Sequence, residues 1–175
     1  QDQFEEGTLN GLTSATGSVS IGGGIVVETG STTNTAVPGI TLSLNKPTGV
    51  VAGDLLLILV GNDNAANTAQ WNNTNLKPAG FTLINESGTN VPDAHVAAFY
   101  RIADGNEQAA TSTTAQSNVN YWGYYIRVSG ASTTNPINVT GADYAVNNLL
   151  SHPITQITTT IDQAMAFYIL GGDGG

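Results

Sequence analysis

The stretch GVVAGDLLLILVG at residues 49–61 decides the fold. Its apolar run from Leu55 to Val60 is six residues long and is bounded by Gly53 and Gly61. This is the length of a β-strand and is far short of the roughly twenty residues that a transmembrane helix needs. An uninterrupted apolar strand predicts burial on both faces or a central place in its sheet. Asp54, at the start of the run, is predicted to cap the preceding turn through backbone N–H groups.

The segments on either side of this run also have strand patterns. Ile40, Leu42 and Leu44 alternate with polar residues, which is the period-2 pattern of a half-buried strand. The aromatic density of residues 119–128 favours strand over helix. Gly, Pro and Asn turns, among them the turn at residues 104–106, separate the segments. We predict strands at 25–27, 40–44, 54–60, 81–85, 96–103, 119–128, 137–139, 154–161 and 164–170.

Helix is nearly absent from the pattern. The best helical candidate, residues 64–71, is rich in Asn and lacks a 3.6-residue apolar stripe, so we interpret it as a long loop. The sequence therefore predicts an all-β fold, an antiparallel β-sandwich of the jelly-roll type with under about 10% helix. The predicted core consists of Leu55, Leu57, Leu59, Phe99, Ile126, Phe167 and Ile169.

Two parts of the chain differ in composition. Residues 1–24 are rich in Gly, Ser and Thr and hold few apolar side chains, which predicts an arm or linker. Such a segment buries too little to offset the roughly 1–2 kcal/mol per residue lost on ordering, so it is either a mobile linker or an arm that docks on another subunit. Residues 25–175 are predicted to form the sandwich domain.

Composition excludes several classes of function. The 175 residues include 4 basic and 13 acidic side chains, for a formal net charge of −9. So few cations cannot neutralise a row of phosphates, so we expect neither a nucleic-acid partner nor binding to an anionic membrane. The six-residue apolar run is too short for a transmembrane helix, so we expect no membrane insertion. The chain has no cysteine, which rules out disulfides, thiolate chemistry and cysteine-ligated metals.

The order of several motifs resembles a lectin-like jelly-roll domain of phage virion proteins and bacterial surface proteins. Residues 49–57 resemble its G-x-x-A-G-D-L-L-L signature, and residues 78–83 resemble P-x-G-W-T-L with Phe81 in place of Trp. Later similarities follow in the family's order at residues 98–107, 125–130, 135–139, 157–160 and 165–173. The resemblance covers about 25–175 and lies in the order of the motifs more than in any one of them.

The resemblance also carries an expectation about the end of the domain. Such domains usually continue past the late hairpin with at least two more strands, whereas this sequence ends in the glycine-rich segment 171–175. We therefore expect an incomplete sandwich, closed by a strand from further along the chain or from a neighbour.

No catalytic constellation stands out, so we predict that the protein is not an enzyme and has no catalytic residues. His95 and His152 read as surface or strand-edge histidines. The carboxylates that could pair in a hydrolase are scattered singly along the chain. They are Glu28, Asp54, Asp93, Glu107 and Asp143.

Ligand-binding candidates lie in polar loops. Two loops hold weak Ca²⁺ candidates, namely Asp63, which has Asn neighbours, and Asp173, which lies among glycines. Neither loop matches an EF-hand, and the alternative is that both are plain polar loops. We therefore expect no cofactor. Trp71, beside Asn72 and Asn73, is the best candidate for a glycan-contacting platform, because flat rings stack on sugars and amides bind hydroxyls. The other aromatic residues are expected to pack mostly in the core.

Three functions remain open. The first is a virion structural or appendage protein, such as a decoration, fibre or spike subunit, that assembles with copies of itself or with other virion or surface subunits and contacts a cell-surface glycan. The second is a secreted bacterial adhesin or carbohydrate-binding module, and the third is a hydrolase. The first two place the protein on a virion surface or outside cells.

Overall fold

Seven β-strands make up the part of the fold that the structure describes. The computed structural model describes residues 19–21, 24–28, 31–63, 77–87, 94–141, 156–161 and 164–169. Within these ranges there is no helix, which confirms the all-β prediction. The strands are β1 (Val19–Ile21), β2 (Ile25–Val27), β3 (Ser31–Asn45), β4 (Leu55–Asp63), β5 (Thr82–Ser87), β6 (Ala94–Ile102) and β7 (Ala110–Ser129).

All the described strand pairs are antiparallel, and β7 pairs with three other strands, β2, β3 and β4. The hydrogen-bonded order is β1-β2-β7-β4-β6-β5, and β3 also pairs with β7. β7 has room for three partners because it is 20 residues long. Its last part, from residue 121, lies between β4 on one side and β2 and β3 on the other.

β3 and β7 take part in two sheets. The large sheet contains β1, β2, β4, β5, β6, residues 31–35 of β3 and residues 121–129 of β7. The small sheet pairs residues 39–45 of β3 with residues 110–119 of β7, after register shifts between Thr35 and Thr41. Such shifts bend a strand and increase its twist, which lets one strand continue from one sheet into the next.

The small sheet covers one face of the large sheet, which we call the inner face. Leu42 and Leu44 of β3 share a buried cluster with Ile58, Phe99 and Tyr125. Gly123 of β7 leaves space for this packing, because a Cβ there would lie 2.8 Å from Leu42 Cδ2. The inner face is therefore the main hydrophobic core of the described residues.

The opposite face of the large sheet, the outer face, is also apolar. Alternation along β4 places Leu56, Ile58 and Val60 on the inner face and Leu55 and Leu57 on the outer face. Every residue from Leu55 to Gly61 is buried, as the apolar run predicts. β4 pairs with β6 and β7 along its whole length, so its central place is confirmed too.

Some sequence-based predictions in the second half of the chain are wrong. The described parts of the three last predicted strands, residues 137–139, 156–161 and 164–169, are not strands. The side chain of Asn138 explains the missing strands at residues 137–139 and 156–161. Its Nδ2 donates to Thr160 Oγ1 at 2.8 Å and its Oδ1 accepts from the Thr160 N–H at 2.9 Å, so side-chain bonds replace a backbone ladder.

The core prediction needs correction at the same end of the chain. Leu55, Leu57, Leu59 and Phe99 are buried as predicted. Phe167 is 36% exposed, because residues 164–169 belong to no strand and so do not alternate into a core. Ile126 and Ile169 are half-buried.

The segment predicted as an arm contains one described strand. β1 lies within residues 1–24 and pairs with β2, matching Val19 with Val27. The predicted loop at 64–71 lies outside the described residues.

Candidate functional site

The turn before β4 has the capping geometry that the sequence predicts for Asp54. Asp54 Oδ2 accepts a hydrogen bond from the Val51 N–H at 2.9 Å. Gly49 and Gly53 adopt φ values of 72° and 94°, which L side chains rarely reach. The carboxylate thus closes the turn and fixes the start of the buried strand.

Asp54 also pairs with Arg127 on the neighbouring strand β7. Arg127 Nε lies 2.6 Å from Asp54 Oδ2, and the two side chains are 17% and 5% exposed. Gly49 gives the guanidinium its space, since a Cβ at Gly49 would lie 2.9 Å from Arg127 Nη1. The two residues are 73 positions apart, so no local spacing predicts the pair.

A second charged cluster follows β6. Arg101 Nη2 lies 2.7 Å from Asp104 Oδ2 and 3.7 Å from Glu107 Oε1. The Asp104 N–H donates to Glu107 Oε1 at 2.7 Å, and the Asn106 N–H donates to Asp104 Oδ1 at 2.7 Å. The bond from Asn106 holds the pKa of the Asp104 carboxyl below its usual value, and the charge of Arg101 acts in the same direction. The predicted turn at 104–106 is therefore confirmed.

Glu107 is the unusual member of this cluster. Its side chain is only 3% exposed, although charged residues are rarely buried without full pairing. Oε1 has the bonds just given, whereas Oε2 has no hydrogen-bond partner among the described residues. A buried polar atom of this kind calls for an explanation, such as a water, an ion or a ligand.

Glu107 and Arg101 line a cleft where the two sheets meet, which we call the junction cleft. Its volume is about 310 Å³, at the lower end of the range for small-molecule sites. The large sheet contributes Arg101 and Tyr125, and Phe81 lies just before β5. Polar side chains from the small sheet and the loop before it complete the wall, namely Ser43, Thr111, Ser112 and Gln108.

Tyr125 is the buried aromatic residue of the junction cleft. Its ring meets the Phe81 ring edge to face at a centroid distance of 5.7 Å. Burial raises the pKa of Tyr125 to about 12, because the phenolate loses its hydration, and the charge of Glu107 adds to the effect while Arg101 opposes it. The phenol is therefore neutral at ordinary pH.

The ligand-binding residues predicted from the sequence are not among the described side chains that line this cleft. The glycan platform of Trp71, Asn72 and Asn73 lies outside the described residues, as does Asp173. Asp63 ends β4, and its side chain is not described. In the ranges the structure does describe, no three His, Cys, Asp or Glu side chains could hold a metal ion together.

Glu28 and His95, which were also considered for catalysis, lie among the described residues. Glu28 Oε1 accepts a hydrogen bond from Ser129 Oγ at 2.9 Å. His95 lies on β6, with its side chain outside the description. Asp93, Asp143 and His152 lie outside the described residues.

Most of the cleft residues were missed because each has an ordinary local explanation. Glu107 was considered only as one of the carboxylates scattered singly along the chain, and Arg101, near the end of an apolar strand, was not singled out as a site residue. The one signal that could have identified Arg101 is scarcity, because the chain has only 4 Lys and Arg residues. Chemically, the cleft offers hydroxyls, an amide, a guanidinium and a carboxylate, which suit a small polar ligand.

Comparisons with protein-family models, with curated proteins and with solved structures give no match. Across the described ranges, no helix has the length and apolar character to cross a membrane.

Proposed function

We propose that the protein is a structural or appendage subunit of a virion, a jelly-roll sandwich that works by assembling with copies of itself or with other virion subunits at the particle surface. The resemblance in motif order suggests this class. The structural support comes from the outer face of the large sheet.

The outer face has the composition of an interface and is incompletely covered. Strand register places uncharged residues at every described outer-face position on β2, β4, β6 and β7 except Asp63, which ends β4. Among them, Tyr124 is 45% exposed and Ile126 is half-buried. Trp122 lies against Tyr124, with ring centroids 6.0 Å apart. Uncharged surfaces that present Tyr and Trp are typical of protein contacts.

Edge pairing gives a second route to assembly. β5 ends the hydrogen-bonded order, and β6 is its only partner among the described strands. An edge strand presents unpaired N–H and C=O groups, which can add a strand from a neighbouring chain. In an assembly, neighbouring subunits would cover both the edge of β5 and the outer face.

The experiment is sedimentation of the protein and of two variants. Tyr124→Ser removes the exposed ring from the outer face, and Val51→Ser is the control, because Val51 is also exposed, at 56%, but lies in the turn before β4. We expect the protein and Val51→Ser to associate, and Tyr124→Ser to associate at least about tenfold more weakly, as for a central interface tyrosine. A stable monomer at all concentrations would contradict assembly.

The second candidate is a secreted adhesin or carbohydrate-binding module, which the junction cleft favours. The two functions share a fold and differ in partner. A monomer that binds glycans would favour the module, whereas an assembly on a native particle would favour the virion subunit. The glycan platform at Trp71, Asn72 and Asn73 stays a prediction under both.

A further inference from the structure

We propose that residues 164–169 of one copy of the chain add a strand to the free edge of β5 in a neighbouring copy, so that each subunit donates one strand and accepts one. We call residues 164–169 the donor segment. This inference rests on the proposed assembly and deepens it, because it names the two surfaces that meet.

The donor segment has the sequence of a strand but no strand partner. Its residues, Ala-Met-Ala-Phe-Tyr-Ile, carry no charge, and strands favour Phe, Tyr and Ile. The chain has no turn or bend between residues 164 and 169, and no backbone hydrogen bond joins them to another described residue. A segment of this kind can pair through its N–H and C=O groups with the edge of a sheet.

The aromatic side chains of the donor segment are open on both of its sides. Phe167 is 36% exposed and its neighbour Tyr168 is 56% exposed. Successive side chains of an extended segment point to opposite sides, so neither side is covered at this point. Large apolar residues that are exposed together mark contact sites. The partner of this segment should therefore be apolar on both faces.

The free edge of β5 is apolar on both faces. Leu83 packs against the inner-face cluster and Ile84 against the outer-face cluster, and both side chains are only half-buried. A strand added beside them continues both apolar faces, and strands that are covered on both faces are apolar throughout. At the other end of β5, Asn85 Oδ1 accepts the Glu86 N–H at 2.9 Å, so the part that can accept a partner runs from Thr82 to Asn85. This part is uncharged.

Two other described edges fit the donor segment less well. β1 also ends the hydrogen-bonded order, but it is only three residues long. β3 pairs only with β7 among the described strands, and its Thr41, Ser43 and Asn45 are exposed on the side away from the core. A strand added there needs one polar side, which the donor segment lacks.

The charge of the chain also favours this contact. A formal charge of −9 makes two copies repel each other, so charged surfaces of the same sign would keep them apart. A contact between the donor segment and residues 82–85 brings only uncharged residues together. The donor segment therefore contributes to association rather than to the folding of a single copy.

The experiment is thiol cross-linking between two single-cysteine variants. The chain has no cysteine, so the introduced thiols are the only ones. Ala166→Cys places a thiol at the centre of the donor segment, and Thr82→Cys places one on β5. A short thiol-specific reagent joins thiols on adjacent strands, which lie about 4.8 Å apart. A size tag on one variant separates mixed dimers from dimers of either variant alone.

Thr41→Cys is the matched control for the edge, because Thr41 is also an exposed threonine on a strand with a free edge. We expect mixed dimers of Ala166→Cys with Thr82→Cys, and at least about tenfold fewer with Thr41→Cys, because neighbouring strands hold their thiols close together.

A proline variant tests the backbone pairing itself. Ala166→Pro removes an N–H and fixes φ near −65°, which an antiparallel strand does not adopt. We expect it to weaken association about tenfold or more in sedimentation, and Ala166→Ser, which keeps the N–H, to leave association unchanged. Both variants should keep the urea midpoint of the dilute parent protein, since the donor segment has no backbone bond to another described residue of its own copy.

Three results would overturn the proposal and leave the assembly standing. The first is a protein that associates in sedimentation but gives no mixed dimer through Thr82→Cys. The second is cross-linking through Thr41→Cys that equals or exceeds that through Thr82→Cys, which would place the segment at another edge. The third is a Thr82→Cys/Ala166→Cys double variant that joins its thiols within one chain while the mixed single variants do not. A protein that is monomeric at all concentrations would contradict the assembly and this inference together.

Discussion

At the residue scale, Asp54 holds the turn before β4 and neutralises Arg127 at the same time. Asp54→Asn keeps the shape of the side chain and removes the charge, so Arg127, whose side chain is 17% exposed, is left without its partner. Because breaking a buried pair costs about 3–5 kcal/mol, we expect the free energy of unfolding to fall by about 3 kcal/mol in urea denaturation.

Asp104→Asn is the control for that change, because it removes the same charge from the exposed Arg101 pair. Exposed pairs contribute little, so its unfolding midpoint should stay close to that of the parent protein. Equal losses of unfolding free energy in the two variants would show that the burial of the Asp54–Arg127 pair does not determine its contribution to stability.

Burial of Tyr125 makes the free energy of unfolding depend on pH in the alkaline range. Its folded pKa of about 12 lies above the ordinary value of 10.0, so the neutral phenol is favoured by folding. This contribution is fully present below pH 10 and is lost as pH rises from about 10 through about 12. We expect the urea midpoint to fall over that window. The absorbance of the Tyr125 phenolate should appear only toward its alkaline end. Tyr125→Phe keeps the ring against Phe81 and should flatten the fall, and an unchanged pH profile would contradict the assignment.

At the scale of elements, two phenylalanines test the strand boundaries. Phe99 is fully buried on β6, whereas Phe167 is 36% exposed in a segment without strand structure. Phe99→Ala should lower the free energy of unfolding by about 3–5 kcal/mol, and Phe167→Ala by less than about 1 kcal/mol. Denaturation of both variants gives the comparison, and a larger loss at Phe167 would restore the buried strand that the sequence predicted there.

The sequence predicted the strands whose apolar pattern is strong. The predictions at 54–60, 96–103 and 81–85 match β4, β6 and β5 within three residues at each end. The predictions at 40–44 and 119–128 found only parts of β3 and β7. The missed parts consist mostly of Thr, Ser and Asn. They are strands because their backbones pair with a neighbouring strand, and such pairing leaves no alternation of apolar and polar side chains in the sequence.

The candidate site was predictable only where its geometry is local. Asp54 caps a turn three residues away, and the spacing in the sequence indicates it. The contact of Asp54 with Arg127 depends on the pairing of β4 with β7, and the contacts of Ser43 and Ser112 with the cleft of Arg101 depend on how the two sheets meet. Long-range packing of that kind has no signature in residue spacing.

At the scale of the whole molecule, net charge sets how the proposed assembly would respond to salt. A formal charge of −9 makes copies of the chain repel one another. Lowering the ionic strength from about 0.15 M to about 0.01 M lengthens the screening distance from about 8 Å to about 30 Å. We therefore expect self-association to weaken at low salt in sedimentation experiments. Stronger association at low salt would mean that opposite charges drive the contact, which would contradict an apolar interface.

The place of β7 has a consequence for synthesis on the ribosome. Among the described strands it is the last to be made, yet it lies inside the large sheet and also forms half of the small one. Until residues 110–129 emerge, β4, β5 and β6 can pair with one another, but one edge of β4 stays unpaired and Leu56, Ile58 and Val60 on its inner face stay uncovered. Folding must therefore be late and cooperative, and a nascent chain stalled before β7 would expose the apolar edge most prone to aggregation.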